Sequence, residues 1–316
     1  MMSNSGQIQP GEYSLPPGFC RRIDKTFGEE GREWLEGLPA LLDRCAQHWS
    51  LQLLAPFEPL SYNYVAPAIL LDGSQAVLKA GVPNPELYSE MAALQLYDGR
   101  GIVGLLAYDA DLGAMLLERL QPGSPLRLVQ DDEQATAIAA QVMQRLWRPV
   151  PANYSFKSVG DWAQGLGRLR EQFGGGTGPL PEELVVLAEN LFEELLRSMG
   201  KSVLLHGDLH HDNIVAAERS PWLALDPKGI VGEAAYETGA LLRNPLPWLL
   251  EQPDPQRVLA RRVDQLGELL GFDRQRLVRW GIAQAVLSAV WTVEDHGTGW
   301  QSQIAIARHL AGVMAI

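Results

Sequence analysis

The sequence predicts an α+β protein of two lobes: a small antiparallel sheet carrying one helix, then a larger, mainly helical lobe. Three observations support this. Extended apolar segments gather between residues 51 and 120 around a hairpin turn at Asp72-Gly73. From Asp131 onward, apolar residues recur at spacings of three and four. Within that second region a polar segment, His206–Asn213, is bounded by apolar pairs, as expected of a loop between buried strands. The expected divisions are an arm with helices over 1–50, a sheet lobe over 51–120 and a helical lobe over 121–316, with no internal repeat.

Length and composition bound the rest. A chain of 316 residues with 46% hydrophobic and 20% charged side chains suits one two-lobed protein or two domains with a full core. The formal charge of -12 argues against binding to nucleic acid or anionic lipid and favours a cationic small molecule. Cys20 and Cys45, the only cysteines, offer no disulfide framework and read as free thiols in a reducing cytoplasm. The polar start, Met1 to Pro10, has no basic region ahead of an apolar run, so no signal peptide is expected. No run approaches the length of a membrane-spanning helix.

In chain order, residues 1–20 read as a loose arm rich in Ser, Gly, Pro and Gln. Trp34, Leu35, Leu38, Leu41, Leu42 and Cys45 predict a helix over 25–50, with Pro39 as the expected break. Strands follow at 51–57, 62–71 and 76–80. The last places Lys79 at the end of an apolar strand. Pro85 opens a helix over 86–97 that carries Glu90 on its second turn, with Glu86 as a competing carboxylate for Lys79. Gly99-Arg100-Gly101-Ile102-Val103-Gly104 satisfies G-x-G-x-x-G but follows a helix and enters a strand over 102–107. That order is the reverse of a dinucleotide fingerprint, so a glycine helix cap is expected instead. With no glycine-rich loop before Lys79, any cover over a nucleotide falls to the hairpin bearing Ser61-Tyr62-Asn63-Tyr64. Asp111-Leu112-Gly113 is a turn before a strand over 114–120. Asp131 with Gln134 resembles a capping box that opens a helix striped by Ile138, Val142 and Leu146. Gly174–Gly178 reads as a surface loop, 181–199 as an amphipathic helix, 227–247 as irregular, and 254–270, 273–293 and 301–314 as helices.

The chemistry gathers in Leu204-Leu205-His206-Gly207-Asp208-Leu209-His210-His211-Asp212-Asn213, followed by Trp222-Leu223-Ala224-Leu225-Asp226. The H-x-D-x-x-x-x-N spacing is that of a kinase catalytic loop, with Gly207 where protein kinases have Arg. In such loops the Asp accepts the proton of an attacking hydroxyl, the Asn holds magnesium, and an Asp after the next strand ligates the metal at the phosphates. Asp208, Asn213 and Asp226 stand in those places. A strand lysine followed by a helix glutamate, Lys79 and Glu90, matches the pair that holds nucleotide phosphates. A lone strand-end lysine is otherwise unremarkable. A zinc hydrolase is the rival chemistry. H-E-x-x-H and C-x-x-C are both absent, and the adjacent His210 and His211 should point to opposite sides.

These residues resemble the aminoglycoside phosphotransferase branch of the protein-kinase-like fold, and within it the streptomycin kinase and hydroxyurea phosphotransferase family. The resemblance rests on Asp98-Gly99-Arg100-Gly101, Leu116–Leu120, Leu205–Ile214, Trp222–Gly229, Val231-Gly232-Glu233 and Leu287–Trp291, and spans about residues 50 to 295. It implies a bilobal kinase-like fold and ATP- (or GTP-) and magnesium-dependent phosphorylation of a hydroxyl on a streptomycin-like acceptor, conferring antibiotic resistance. Asp208 would be the base, Asn213 and Asp226 the magnesium ligands, and Lys79 the phosphate clamp with Glu90 as its partner. Leu117, Glu118 and Leu120 would lie in the adenine-binding crossover. Pro227-Lys228 stands where protein kinases carry Phe-Gly, and Glu237 where many relatives carry Asp. A cationic acceptor calls for carboxylates, so Glu233, Glu237, Glu294 and Asp295 are the acceptor candidates, each also readable as a surface acid. Rival readings are a kinase for hydroxyurea or another small metabolite, and a pseudokinase, against which an intact catalytic set argues. A monomer or homodimer is expected.

Overall fold

The computed structural model describes residue 13 and residues 15–315, without the side chain of His296. Most of the expected N-terminal arm, residues 1–12 and 14, lies outside them. The chain divides into two compact units, 1–99 with 103–120, and 100–102 with 121–316.

The first unit contains α1 (Pro17–His48), which keeps helical φ/ψ through Pro39 and instead departs from helical geometry at Gly28 (φ 59, ψ -127). That corrects the expected break. Leu38, Leu41, Leu42 and Cys45, on both sides of the proline, are all buried, and this packing holds the helix together where propensity alone would end it. Strands β1 (Gln52–Leu53), β2 (Asn63–Ile69) and β3 (Gln75–Gly81) follow. The hairpin between β2 and β3 turns through Gly73 at φ 83, while Asp72 accepts from the Ser74 backbone and hydroxyl. Asn84 caps α2 (Pro85–Tyr97) by accepting from the N–H groups of Glu86 and Leu87. That helix ends on Asp98 in the left-handed region (φ 52), so the cap is an aspartate ahead of Gly99 and not a glycine. β4 (Leu105–Asp109) starts three residues later than expected, and β5 (Ala114–Glu118) completes an antiparallel sheet ordered β1-β2-β3-β5-β4. Phe19, Ile23, Leu38, Leu42 and Cys45 of α1 share one core with Tyr64, Ala66, Leu78 and Ala80 of the sheet. Strand alternation therefore turns Lys79 toward the opposite face.

The second unit contains β6 (Pro122–Pro125), α3 (Asp132–Leu146), β7 (Lys157–Ser158), α4 (Val159–Gln172) and α5 (Glu182–Arg197). β8 (Ser202–Leu205), β9 (Ile214–Ala217), β10 (Trp222–Ala224) and β11 (Ile230–Glu233) come next. They are followed by α6 (Thr238–Leu242), α7 (Pro255–Leu270), α8 (Arg274–His296) and α9 (Gln301–Met314). The stretch 227–247, expected to be irregular, thus holds a strand and a short helix. α8 is the core helix: Leu277, Val278, Trp280, Ile282, Ala283, Ala285, Val286, Leu287, Ala289 and Val290 are fully buried, so it is apolar on every side along this length. The short strands form two sheets, β7-β11-β8 and β10-β9-β6. Between β8 and β11 the chain passes from one sheet to the other twice, through 206–213 and through 225–229.

Candidate active site

Those two crossings run side by side and are bonded to each other at both ends. Lys228 N–H donates to the His206 carbonyl at 2.7 Å, and Leu225 N–H donates to the Asn213 carbonyl at 3.0 Å. Between these ties sits the imidazole of His206, fully buried. Its Nε2 lies 2.8 Å from the Leu225 carbonyl, and its Nδ1 receives the Asp208 N–H at 3.3 Å. Donating from one nitrogen and accepting at the other requires the neutral ring. Burial drives the same outcome, pushing the His206 pKa down to about 4 against the opposing pull of the Leu225 carbonyl. His206 is therefore a pin between the loops, with no nitrogen left for chemistry.

Gly207 follows at φ 88, where a side chain would be strained. A Cβ there would also stand 3.0 Å from the Trp162 ring and 3.2 Å from Lys228 Cβ, which explains glycine in a position where protein kinases carry Arg. The N–H groups of His206 and Gly207 both donate to the Glu237 carboxylate, at 2.6 and 2.9 Å.

Asp208 emerges half-buried from this bracket. Its Oδ1 accepts from Arg243 Nη2 at 2.6 Å, and its Oδ2 lies 3.6 Å from His210 Nε2. Burial opposes ionisation, but the Arg243 guanidinium, with His210 and Lys228, outweighs it and holds this carboxyl far below the usual carboxylate range. Asn213 closes the loop: its Nδ2 donates to the Asp208 carbonyl at 2.9 Å, which leaves Oδ1 as the side chain's acceptor. Asp226 is exposed and sits at φ 58, one of three described non-glycine residues with positive φ. An amide oxygen and an exposed carboxylate on tied loops fit magnesium, which takes hard oxygen ligands and fills its remaining positions from water and phosphate. Among the described residues no three His, Cys, Asp or Glu side chains converge on a metal position. His210 faces Asp208, whereas His211 is buried with neither ring nitrogen hydrogen-bonded.

In the first unit, Lys79 Nζ and Glu90 Oε1 are 2.6 Å apart and both residues are buried, while Glu86 is exposed. The competition between the two glutamates resolves to Glu90. Leu117 is buried in β5. Glu118 uses its N–H and Oε2 on the Gly104 carbonyl and N–H, and Leu120 is half-buried at the end of the unit.

Two expected acceptor residues are corrected. Glu237 is fully committed to the two backbone N–H groups. Glu233 is buried against Arg276 at 2.5 Å, Trp280 Nε1 at 2.8 Å and the Gly200 N–H at 3.3 Å. Neither carboxylate can reach a ligand without breaking these bonds, so both are structural acids. Glu294 and Asp295 are exposed near the end of α8, and Glu294 meets Arg168 at 3.1 Å. Trp162 links this region to the loop: its ring lies 5.0 Å from Trp291 and packs over Gly207. Sequence reasoning missed both Arg243 and Trp162. Arg243 stands 35 residues from its partner with no motif around it, and no element was assigned to the segment carrying Trp162.

The protein-family comparison matches residues 55–296 to the aminoglycoside/hydroxyurea antibiotic resistance kinases. A streptomycin 6-kinase of Streptomyces griseus is 35% identical over 315 residues, 98% of this chain and 99% of that protein. A hydroxyurea phosphotransferase of Kitasatospora aureofaciens is 34% identical, covering 90% of this chain and 82% of its own. Among solved structures, a thermostable mutant of aminoglycoside phosphotransferase APH(4)-Ia in ternary complex with ADP and hygromycin B superposes with a TM-score of 0.61. It does so at 12% identity, over 86% of this chain and 97% of that one, and so shares its fold.

Proposed function

The chain belongs to the aminoglycoside/hydroxyurea antibiotic resistance kinase family, and we propose that it transfers the γ-phosphoryl group of ATP, with magnesium, to a hydroxyl of a streptomycin-like aminoglycoside. The observation that carries this reading is the 35% identity to a streptomycin 6-kinase along almost the whole of both chains. The loop geometry supplies the means.

In the reaction the acceptor oxygen forms a bond to the γ-phosphorus, the bond from that phosphorus to the β–γ bridging oxygen breaks, and ADP departs. Asp208 takes the hydroxyl proton. Arg243 occupies Oδ1, so Oδ2, at the longer distance from His210, is the oxygen better placed to receive it. Asp208 is ionised throughout the neutral range, so its task is to orient the hydroxyl and collect the proton late, as suits a loose transition state. Lys79, held by Glu90, supplies fixed positive charge to the phosphates. Asn213 and Asp226 would hold magnesium, which neutralises charge on the β- and γ-phosphate oxygens. Glu294 and Asp295 remain as carboxylates for the cationic groups of the acceptor.

A second reading, phosphorylation of hydroxyurea, is favoured by the 34% identical phosphotransferase. The deciding experiment incubates the protein with Mg-ATP and streptomycin or hydroxyurea and identifies products by mass. Phosphorylated streptomycin from the wild type, with Asp208→Asn slowed by about a thousandfold or more, is the expected result. Turnover of hydroxyurea alone, or an undiminished Asp208→Asn variant, overturns it.

A further inference from the structure

A charge pair brackets the stretch that carries Arg243, and it also lies close enough to the buried His211 of the loop to act on it electrostatically. Arg262 on α7 is fully buried. Its Nε and Nη2 form a fork onto the Asp132 carboxylate at the start of α3, with the Nη2–Oδ1 bond at 2.5 Å. Asp132 also accepts from Arg261. The remaining nitrogen of Arg262, Nη1, donates to the carbonyls of Leu241 at 3.2 Å and Asn244 at 2.6 Å. Those two carbonyls flank Arg243, the residue that ends α6 and reaches Asp208. The guanidinium plane further lies 5.5 Å from the centre of the Trp248 ring.

A buried ion pair is costly to form, and an apolar pair of similar size would often be at least as stabilising. Stability therefore gives little reason for this one. Its directional donors do give a reason: they fix the 241–242 and 244–245 peptide groups, which bracket Arg243, a task apolar side chains cannot perform. We propose that the Asp132–Arg262 pair positions Arg243, and through Arg243 sets the orientation of the Asp208 carboxylate for phosphoryl transfer. The inference rests on Asp208 as the base. Arg262 and Asp132 are positioning residues, acting through Arg243 without touching either substrate.

The test compares Arg262→Gln, Asp132→Asn, Arg243→Ala and the double variant Arg243→Ala/Arg262→Gln, with thermal melting recorded for each. Arg262→Gln should lower kcat on the order of a hundredfold, the effect of about 1 Å of misplacement, while KM for ATP and acceptor stays within about twofold. In the Arg243→Ala background the same substitution should cost nothing further, because the route through Arg243 is already cut. Additive losses in the double variant, or wild-type kcat in a folded Arg262→Gln, overturn the proposal. Should Arg262→Gln fail to fold, Asp132→Asn decides, since it keeps the side chain's shape but replaces one oxygen of the fork with an NH2 donor facing the guanidinium. A crystal structure of Asp132→Asn adds a readout independent of any acceptor: the 2.6 Å contact between Arg243 and Asp208 should be lost, and its retention overturns the proposal. Wild-type protein inactive on every acceptor sinks the functional reading instead, and the structural readout still stands.

Discussion

At the scale of single residues, most polar groups in and around the loop are spent on holding the loop itself. His206, Glu237 and the amide nitrogen of Asn213 are all spent on backbone groups, whereas the Asp208 carboxylate pairs with Arg243. This division has a consequence for pH. His206 has a folded pKa of about 4, below the ordinary 6.5, so folding releases its proton. Its contribution to stability is complete above pH 6.5 and is lost as pH falls toward 4. Glu237 works in the other sense over an overlapping window: burial raises its pKa to about 7, so its contribution weakens as pH rises from the ordinary 4.5 through 7. The comparison that isolates His206 is with His206→Gln, whose amide keeps a donor for the Leu225 carbonyl without titrating. Urea midpoints measured from pH 8 down to pH 5 should fall less in His206→Gln than in wild type. Equal slopes would mean the imidazole is not held neutral.

At the scale of elements, α1 shows where local rules fail. Pro39 lacks a backbone donor and should interrupt a helix, whereas Gly28 gives no sequence signal of a kink. The structure reverses the two, because the buried apolar stripe continues past the proline while the backbone at Gly28 turns into the left-handed region. The two sites should respond oppositely to alanine. Gly28→Ala should destabilise by about 1–2 kcal/mol, since a side chain is strained at φ 59. Pro39→Ala should stabilise by about 1 kcal/mol or more, by restoring a donor and removing a ring clash. Thermal melts of the two variants check this, and shifts of the same sign would refute it. The loops between the small sheets show the reverse case, in which local chemistry and tertiary geometry agree. The polar residues of 206–213 are legible because apolar pairs bound them, and that crossing occurs where those pairs predict a loop, while the second crossing, 225–229, overlaps the start of the stretch read as irregular.

At the scale of the whole molecule, charge is the property that acts at a distance. A chain with formal charge -12 attracts a polycationic acceptor and repels anionic nucleotide before either makes contact. Raising salt from about 0.05 to 0.5 M shortens the screening length severalfold. KM for streptomycin should therefore rise several-fold, while KM for Mg-ATP stays level or falls. Parallel movement of the two constants would show that net charge has no part in acceptor capture. Among the described residues no helix is long and apolar enough to cross a membrane, in keeping with the hydropathy of the sequence.

What could be read directly from the amino acids was whatever depends on near neighbours in the chain. The hairpin at Asp72-Gly73, the cap at Asp131, the helix carrying Glu90 and the spacing of Asp208, Asn213 and Asp226 are all of this kind. Each of these signals lies within about twenty residues of chain, close to the range over which turn chemistry and periodicity operate. What folding alone could assign was the use of each charge. Glu233 and Glu237 look like surface acids in sequence, but one is buried on Arg276 and the other on two backbone N–H groups. Arg243 and Arg262 look like ordinary basic residues, but one meets the Asp208 carboxylate and the other the carbonyls of Leu241 and Asn244. The partners of those charges lie between 18 and 130 residues away. Burial, which decides whether a charge must be paired, is a property of packing that no local pattern encodes.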